Sequence, residues 1–368
     1  MKKIGILTTH RANNFGAVLQ AFSLVKACQE LGARAEILDW RCRHFEWSYH
    51  WAWRMYRNPR PAFEHLLWFV FQERQIRKSF DQFRGLMPMS GMIKSRKVLS
   101  AKARDYDAII VGSDQVWNPI NSAVDPLKFD RSNLLDFVPC GVKKCAYAAS
   151  MGVRTINPPE LVSEFVSAWK TFDRITMREH AGAEYVSSKT GIPVETVLDP
   201  VLLHDALFWR QFSRPVMKPK GRYIFVYNIK NSRMLRMAAE RRASELGLEI
   251  VDMVIPSIVP KCRYEKTYAG PCEFLSYIDD AESVYTNSFH ASAFSVIFGK
   301  RLFVHRKETK LDHNSRFDTL LRFAGLEGSP VMGCGNEVVE DIMCANANND
   351  GIRKERERSM ALLKEMIG

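Results

Sequence analysis

Residues 3–40, KIGILTTHRANNFGAVLQAFSLVKACQELGARAEILDW, decide the fold class. The apolar run Lys3–Thr8 predicts a buried strand. Over Gly16–Leu31, apolar residues recur on one face at helical spacing, and Gly32 is a typical helix stop. A second strand is predicted over Ala35–Trp40. A strand, a helix and a second strand form a βαβ unit, which implies a parallel sheet with a right-handed crossover.

The same alternation of strands and helices continues along the chain. Further strands are predicted at Tyr106–Gly112, Cys145–Ala149, Arg174–Met177, Val194–Leu198, Tyr223–Tyr227, Glu249–Val254, Ser283–Thr286 and Leu302–Val304. Pro, Lys and Gly cluster within Ser213–Gly221, where a linker is expected. We therefore predict an α/β protein with two Rossmann-like domains facing a cleft. They would cover residues 1–215 and 216–345, followed by a C-terminal helix over residues 346–368.

One segment of the first domain departs from this pattern. Residues of about 41–104 are rich in Arg, His, Trp and Phe, and Asn58–Pro61 separates two amphipathic stretches. One interpretation is a helical insertion that packs its aromatic side chains into a small core of its own. The alternative is a basic-aromatic surface over residues 41–84 that touches an anionic membrane or a lipid-linked acceptor.

The composition restricts the class of protein. Of the 368 residues, 46% are apolar, which is enough for two folded domains. Eight cysteines without a CxxC pair predict reduced thiols, and neither a disulfide framework nor a zinc site. No secretory leader and no membrane-spanning stretch is visible, so we expect a cytoplasmic protein, with peripheral contact at the inner face of the membrane as the alternative. The net charge of +12 predicts an anionic ligand or surface, and no motif supports nucleic acid.

Polar loops follow several predicted strands, and ligands of such sheets bind at the carboxyl ends of the strands. The first loop, Thr8–Gly16, offers free N–H groups and the positive end of a helix to an anion, with Arg11 and Asn14 beside them. It contains neither a GxGxxG nor a Walker A motif, so a nucleotide fingerprint is not supported. An ordinary turn between strand and helix is the alternative.

The second loop, Gly112–Pro119 (GSDQVWNP), directly follows a buried strand. Asp114 would project from the end of that strand, where a carboxylate can accept a proton from an attacking hydroxyl. The alternative is that Asp114 caps the following turn. Its neighbours would frame a sugar: Gln115, Trp117 and Asn118.

The third loop, Thr286–Ala293 (TNSFHASA), leads into a helix of small residues. His290 would lie at the start of that helix, and histidine is the usual group for proton transfer near neutral pH. A structural histidine is the alternative. Cations outside the loops would hold phosphate and carboxylate, with Arg178, Lys300 and Arg316 as candidates. No DxD or HExxH motif calls for a metal.

Seven segments of the chain resemble the polysaccharide pyruvyl transferase family. They are IGILTTHRANNFGAVLQAFSL, YDAIIVGSDQVWNP, YAASMGV, ITMREHAGAEYV, VLDPVLL, VYTNSFHASAFSVIFGKRLFV and NSRFDTLLRFAGL, in order over about residues 4–326. The resemblance implies a GT-B-like enzyme that moves the enolpyruvyl group of phosphoenolpyruvate onto a sugar as a ketal and releases phosphate. The acceptor would be a cell-surface polysaccharide or its lipid-linked precursor. Phosphoenolpyruvate is a substrate, and no cofactor is implied.

The resemblance also implies roles for individual residues. The family's donor-site histidine corresponds to His290, the arginine of its R-E segment to Arg178, and the acidic residue of its GSD segment to Asp114. His290 would be the acid or contact the phosphate, Asp114 would be the base, and the two roles are interchangeable at this stage. Some members carry Arg two residues before the histidine, where this chain has Ser288. The missing charge would then come from other cations: Arg11, Lys300 or Arg316.

Two other functions remain open on the sequence. A GT-B glycosyltransferase that uses a nucleotide-sugar would share the fold and the basic cleft. A non-catalytic relative that binds a glycan or a membrane would explain the serine at position 288. The sequence specifies neither the acceptor sugar nor the oligomeric state.

Overall fold

The computed structural model describes residues 1–41, 74–119, 129–216, 218–253, 269–307, 314–347 and 349–368. Its strands form two six-stranded sheets, one from residues 3–196 and the other from residues 223–343. The prediction of two Rossmann-like α/β halves is confirmed. The expected linker, Ser213–Gly221, falls between the last strand of the first sheet and the first strand of the second.

The first half consists of a parallel sheet with helices around it. Its strands are β1 Lys3–Leu7, β2 Arg34–Ile37, β3 Ala108–Val111, β4 Lys143–Ala149, β5 Arg174–Met177 and β6 Glu195–Thr196. They lie in the order β2-β1-β3-β4-β5-β6 and all pair in parallel. Its described helices are α1 Phe15–Glu30, α2 Arg74–Arg84, α3 Arg96–Ala103, α4 Pro159–Trp169 and α5 His180–Thr190. The central strand β3 is buried along its whole length, as expected for a parallel strand covered on both faces.

The second half, reached through the short helix α6 Ala206–Arg210, repeats this plan with one addition. Its strands are β7 Tyr223–Tyr227, β8 Glu249–Asp252, β9 Ser283–Thr286, β10 Arg301–Lys307, β11 Ser329–Cys334 and β12 Glu337–Met343. Their order is β11-β12-β10-β9-β7-β8, with parallel pairing from β8 to β10 and an antiparallel hairpin, β11–β12, at the edge. Its described helices are α7 Arg233–Leu246, α8 Pro271–Asp280, α9 Phe289–Ile297 and α10 Ser315–Ala324. The sequence did not predict the hairpin.

The last helix, α11 Asn349–Ile367, returns to the first half. It contacts β3 and β4 and also packs against α10 of the second half. Leu362, Leu363 and Met366 are buried in this contact. The Leu198 amide donates a hydrogen bond of 3.1 Å to the Ser359 hydroxyl, which fixes the helix to the end of the first half.

About half of the predicted aromatic insertion, residues 42–73, lies outside the described residues. In its described part, Phe80 and Phe83 on α2 are buried against α1, within 5.2 Å of Phe15 and 5.1 Å of Phe22 between ring centroids. The expectation of a separate small core is therefore wrong for this part. These rings join the main core because α2 lies directly on α1.

Both sheets share the arrangement that creates a binding crevice. Each sheet has one pair of neighbouring strands from which the chain continues towards opposite edges of the sheet. The pair is β1 and β3 in the first sheet and β7 and β9 in the second. Loops that leave the carboxyl ends of strands at such a switch point diverge, and ligands bind in the gap. The residues after these four strands should therefore form the site.

Candidate active site

A cleft of about 290 Å³ lies between the two halves at both switch points. The first half contributes the loops after β1 and β3, the first turn of α1, and a segment that includes the 3₁₀ turn Arg131–Leu134. Its lining residues are Thr9, Ala12, Asn14, Ala17, Asp114, Gln115, Val116, Asn118, Phe129, Asp130 and Asn133. The second half contributes the loops after β7 and β9 and the start of α10, with Ile229, Lys230, Asn287, Ser288, Phe289, His290 and Arg316. The fold thus brings together Asp114 and His290, which are far apart in the sequence.

The backbone after β3 holds Asp114 at the mouth of the cleft. Gly112 has a φ of +116°, and a Cβ there would lie 2.3 Å from the Tyr147 carbonyl oxygen, so only glycine fits. Asp114 itself is left-handed, with a φ of +70°. Its carboxylate makes no hydrogen bond to any described residue, and its backbone carbonyl instead accepts from the amides of Val116 and Ser150, at 2.7 and 3.1 Å. This carboxylate, which lies 3.7 Å from the Arg178 guanidinium, can serve as a proton acceptor.

Arg84 on α2 fixes the loop after β1. Its guanidinium donates hydrogen bonds of 2.7–3.0 Å to the carbonyl oxygens of His10, Arg11 and Ala12 and to the Asn13 side chain. The side chain is 3% exposed. The three carbonyl oxygens therefore accept hydrogen bonds from one buried cation and not from water. The described end of the insertion therefore shapes one wall of the cleft.

The start of α9 positions His290. Ser288 is the N-cap residue of this helix, and its hydroxyl accepts from the Ala291 amide at 3.5 Å. His290 is 8% exposed and lies against the start of α1, where a Cβ on Gly16 would come within 2.0 Å of the ring atom Nδ1. Glycine at position 16 is thus required for the histidine ring to occupy this place.

A buried carboxylate, Asp199, lies behind His290. Its Oδ2 atom is 3.6 Å from His290 Nε2 and 3.1 Å from both Arg178 Nη1 and the Ser113 hydroxyl. Burial acts to raise the pKa of the Asp199 carboxyl, but His290 and Arg178 outweigh it and hold that pKa well below its usual range. Sequence reasoning missed Asp199, although an acidic residue directly after the predicted strand Val194–Leu198 was a usable signal.

Arg178 occupies a different place from the one expected. It was predicted to hold phosphate or carboxylate, but it is 2% exposed and does not line the cleft. Its guanidinium lies 3.1 Å from the carboxylates of Glu179 and Asp199 and 3.7 Å from that of Asp114. Burial alone would lower the pKa of Arg178, and the three carboxylates raise it. Arg178 is therefore a structural counter-ion behind the wall.

Two other cations face the cleft directly. Arg316 and Lys230 both line it, and neither forms an ion pair with a carboxylate of the described residues. Burial and nearby Arg178 lower the pKa of Arg316 to about 10, and its Nε atom is buried without a hydrogen bond to any described residue. Burial, Arg316 and Lys307 likewise lower the pKa of Lys230. Two such cations side by side in the cleft would attract an anion.

The remaining predicted residues divide into two groups. Asn14, Gln115, Asn118 and Ser288 line the cleft as expected. Asn14 also caps α1 by accepting from the Ala17 amide at 3.1 Å, and Asn118 Nδ2 donates to Gln115 Oε1 at 2.7 Å. Both carboxamides are thus held at the surface of the wall.

Three other predicted residues do not line the cleft. Trp117 is fully buried, with its Nε1 donating to the Asn133 carbonyl at 2.9 Å and its ring packed on Trp169, so it supports the wall from behind. Lys300 follows the far end of α9, next to the start of β10 and away from the carboxyl ends of the strands. Arg11 lies in the loop after β1 but outside the residues that line the cleft.

Sequence reasoning also missed lining residues that come from less obvious segments. Lys230 follows the predicted strand Tyr223–Tyr227, so a polar loop after a buried strand was the available signal. Asp130 accepts a hydrogen bond of 2.8 Å from the Trp40 indole, and Asn133 lies beside it. Neither follows a strand, and only the folded chain shows their position.

No group of three or more His, Cys, Asp or Glu side chains among the described residues could hold a metal ion. No described helix is both long and apolar enough to cross a membrane.

Two facing Rossmann-like halves with a cleft at both switch points define a GT-B-like α/β protein. The chain belongs to the polysaccharide pyruvyl transferase family, because the model of that family matches residues 14–304. The family resemblance of the sequence segments is thereby confirmed. No curated protein matches the sequence significantly.

Several solved structures are similar to the chain. The UDP-GlcNAc 2-epimerase from Methanocaldococcus jannaschii is 12% identical, with 86% of this chain and 87% of that chain covered and a TM-score of 0.44. The UDP-GlcNAc 2-epimerase from Neisseria meningitidis is 10% identical, with 100% and 94% covered and a TM-score of 0.48. The glycosyltransferase SnogD from Streptomyces nogalater is 10% identical, with 100% and 95% covered and a TM-score of 0.40.

Proposed function

We propose that the cleft transfers the enolpyruvyl group of phosphoenolpyruvate to a sugar of a cell-surface polysaccharide or its lipid-linked precursor, forming a pyruvate ketal and releasing phosphate. The division of charge across the cleft supports this proposal beyond family membership. Lys230 and Arg316, both unpaired among the described residues, lie with His290 on the second-half wall. Asp114 and several carboxamides lie on the first-half wall. This division suits an anionic donor on one side and a hydroxyl-bearing acceptor on the other.

The donor would bind to the second half. Phosphoenolpyruvate carries a phosphate and a carboxylate, and two such groups need at least two cations. Lys230 and Arg316 supply them, and the first turn of α9 adds backbone N–H groups with the positive end of the helix dipole. These groups replace the charge that Ser288 does not carry, while Ser288 caps the helix.

The acceptor would bind to the first half. Gln115, Asn118 and Asn133 present amide groups that can both donate to and accept from sugar hydroxyls. Asp130 adds an acceptor, already oriented by the Trp40 indole. The described residues that line this wall include no cation, which would suit an uncharged sugar better than a phosphorylated one.

Ketal formation begins with protonation of the methylene carbon of phosphoenolpyruvate, which leaves an oxocarbenium-like centre at C2. A first sugar hydroxyl adds to that centre and gives up its proton. Phosphate then leaves, and a second hydroxyl of the same sugar adds at C2 and closes the ring. One of the two hydroxyl protons replaces the proton given to carbon, and the other leaves with phosphate.

The division between the two walls supports a role for each group in this reaction. His290, beside the unpaired cations, would protonate the donor, and Asp114, on the acceptor wall, would take the proton of the attacking hydroxyl. Lys230 and Arg316 would stabilise the charge that develops on the departing phosphate. Each of these groups already lies at the cleft without needing a large rearrangement.

The test is phosphate release from phosphoenolpyruvate against a panel of glycan acceptors, free and lipid-linked. Release that requires one acceptor, together with a ketal in the product by mass spectrometry, is the expected result. His290→Asn should reduce the rate by about 10²–10⁴-fold, as is typical for loss of a general acid. Thermal stabilisation by UDP, with no response to phosphoenolpyruvate, would instead favour a nucleotide-sugar transferase.

A further inference from the structure

We infer that Asp199 is a positioning residue that holds the His290 ring with Nε2 turned inward, so that Nδ1 is the nitrogen that exchanges a proton with the substrate. The inference rests on the proposed function, because it specifies how His290 acts as the acid. It concerns a residue outside the cleft lining and is carried by the geometry around three buried side chains.

Asp199 is held more firmly than the histidine that it faces. The carboxylate is 1% exposed. Its Oδ1 atom accepts from the Val201 amide at 3.1 Å, and its Oδ2 atom is 3.1 Å from Arg178 Nη1 and from the Ser113 hydroxyl. Three donors from separate segments of the first half therefore fix both oxygens. A carboxylate fixed in this way can impose an orientation on its neighbour.

The two ring nitrogens of His290 have different surroundings. Nε2 is buried, has no hydrogen-bond partner among the described residues, and lies 3.6 Å from Asp199 Oδ2. Nδ1 packs against Gly16, where the missing Cβ makes room for the ring, and unlike Nε2 it is not among the buried polar atoms of the described residues that lack a partner. Since His290 lines the cleft and its Nε2 is enclosed, Nδ1 is the nitrogen that a substrate can reach. A small movement of the ring brings Nε2–H into a hydrogen bond with the carboxylate.

In this arrangement the two ring nitrogens of His290 have separate roles in proton transfer. The protonated ring gives the hydrogen on Nδ1 to the methylene carbon of the donor. It is then neutral, and its remaining hydrogen on Nε2 still faces Asp199. Asp199 stays ionised throughout and is not itself a proton carrier. The proton lost from Nδ1 is replaced from the acceptor hydroxyls after phosphate has left.

Arg178 has a matching part in this arrangement. Without Arg178, the positive charge of protonated His290 would have to neutralise the fully buried Asp199 carboxylate by itself. Arg178 neutralises Asp199 from the first half, and its guanidinium also lies 4.6 Å from the ring of Phe289, the neighbour of His290. The contacts of Arg178 with Asp199 and Phe289 therefore join the first half to the start of α9.

The decisive experiment is a double-mutant cycle between Asp199→Asn and His290→Asn, with acceptor-dependent phosphate release as the assay. Asparagine keeps the shape of the side chain and the oxygen that accepts from the Val201 amide. Alone, Asp199→Asn should lower kcat at least tenfold while KM for phosphoenolpyruvate changes less than threefold. In the His290→Asn background it should change kcat less than twofold, because it acts through the histidine. An equal loss in both backgrounds, or a rise in KM with kcat intact, would overturn the inference.

Glu179→Gln is the matched control. Glu179 also contacts Arg178 at 3.1 Å and is buried, but among the described residues it forms neither a hydrogen bond nor an ion pair with His290. Thermal melting of each variant separates unfolding from a change at the site. If Glu179→Gln reproduced both the kcat loss and its dependence on His290, the effect would belong to Arg178 and the role of Asp199 would be wrong.

A second measurement does not depend on turnover. Nitrogen-15 NMR of histidine-labelled protein reports which ring nitrogen carries the hydrogen, and His290→Asn identifies the resonance among the nine histidines. In the wild type, the neutral ring should carry its hydrogen on Nε2, and Asp199→Asn should abolish this preference. An unchanged spectrum would overturn the inference. If the wild type released no phosphate with any acceptor, the proposed function would fail while this measurement still decided the role of Asp199.

Discussion

The ring of Phe15 lies parallel to the ring of Phe274, with the centroids 4.5 Å apart and the planes 4° apart. Phe15 is the first residue of α1, next to the cleft, and Phe274 belongs to α8 of the second half. Phe80 and Tyr227 pack around the same ring, at 5.2 and 5.6 Å. The two halves are therefore joined through the residue that immediately precedes Gly16.

Phe15→Ala should lower the free energy of unfolding by about 3–5 kcal/mol, because it removes a buried ring from a packed aromatic cluster. Urea unfolding would measure this change. Leu207→Ala is the control, since that side chain is 70% exposed and its removal should change stability by less than about 0.5 kcal/mol. Equal effects of the two substitutions would show that the aromatic cluster does not hold the halves together.

Asp114→Asn should lower kcat by about 10²–10⁴-fold without unfolding the protein. The variant is well matched, because asparagine tolerates the left-handed backbone that Asp114 adopts, with its φ of +70°. Asp114→Ala would add backbone strain and is a poorer test. Steady-state rates and melting curves should be measured together. More than a tenth of the wild-type kcat in Asp114→Asn would exclude Asp114 as the base.

Lys230→Met and Arg316→Met should weaken donor binding while leaving stability unchanged or improved. Each removes a cation that has no ion pair among the described residues. Burial and cationic neighbours lower the pKa of both groups, and for Arg316 they outweigh the attraction of Glu179 and Asp114. Binding of phosphoenolpyruvate should weaken about tenfold or more, since a hydrogen bond to a charged group contributes about 1.5–3 kcal/mol. Calorimetry with phosphoenolpyruvate would measure this loss.

Arg353→Met is the control for these two variants. It removes a cation that is exposed on α11 and pairs with Asp350 at 3.4 Å, so the net charge falls equally while the cleft is untouched. Donor binding should stay within about twofold of the wild type. A similar loss of affinity in all three variants would assign the effect to overall charge and not to the cleft.

His204 should make the protein less stable in acid. Burial lowers the pKa of His204 to about 4, so the folded protein keeps this ring neutral where the unfolded chain already binds a proton. The free energy of unfolding should therefore fall as the pH drops from about 6.5 to about 4. The contribution of this residue is about 3 kcal/mol, since one pKa unit corresponds to 1.36 kcal/mol.

The measurement is urea unfolding at pH 7 and pH 4.5 in the wild type and in His204→Asn. The asparagine amide can still donate to the Ser23 carbonyl, which His204 Nε2 contacts at 3.1 Å, but it cannot titrate. The variant should lose clearly less stability than the wild type over this interval. Parallel losses would assign the acid sensitivity to other groups.

Much of the fold was predictable because the apolar patterns are local. Strands β7 and β9 have the predicted bounds, Tyr223–Tyr227 and Ser283–Thr286. The hairpin β11–β12 was not predicted, because β11 is an exposed edge strand with Pro330 in it and shows little apolar alternation. The hairpin joins the sheet because β12 pairs with β10, and a local sequence pattern does not predict this tertiary contact.

The site was predictable as far as strand ends determine it. Asp114 and His290 follow buried strands, and both reach the cleft because parallel strands end at one edge of a sheet. Arg178 also follows a strand, but it is buried among three carboxylates, that of its neighbour Glu179 and those of the distant Asp114 and Asp199. Whether a side chain at a strand end faces a ligand or the interior depends on those partners, which the sequence order does not reveal.

Helix α11 has a consequence for synthesis on the ribosome. The helix that covers β3 and β4 follows the whole second half in the chain, so the first half lacks part of its own cover while the second half is being made. During that interval the apolar surface that Leu362, Leu363 and Met366 later protect is open to other proteins. We expect a nascent chain stopped before residue 349 to bind a chaperone and the released full chain to leave it.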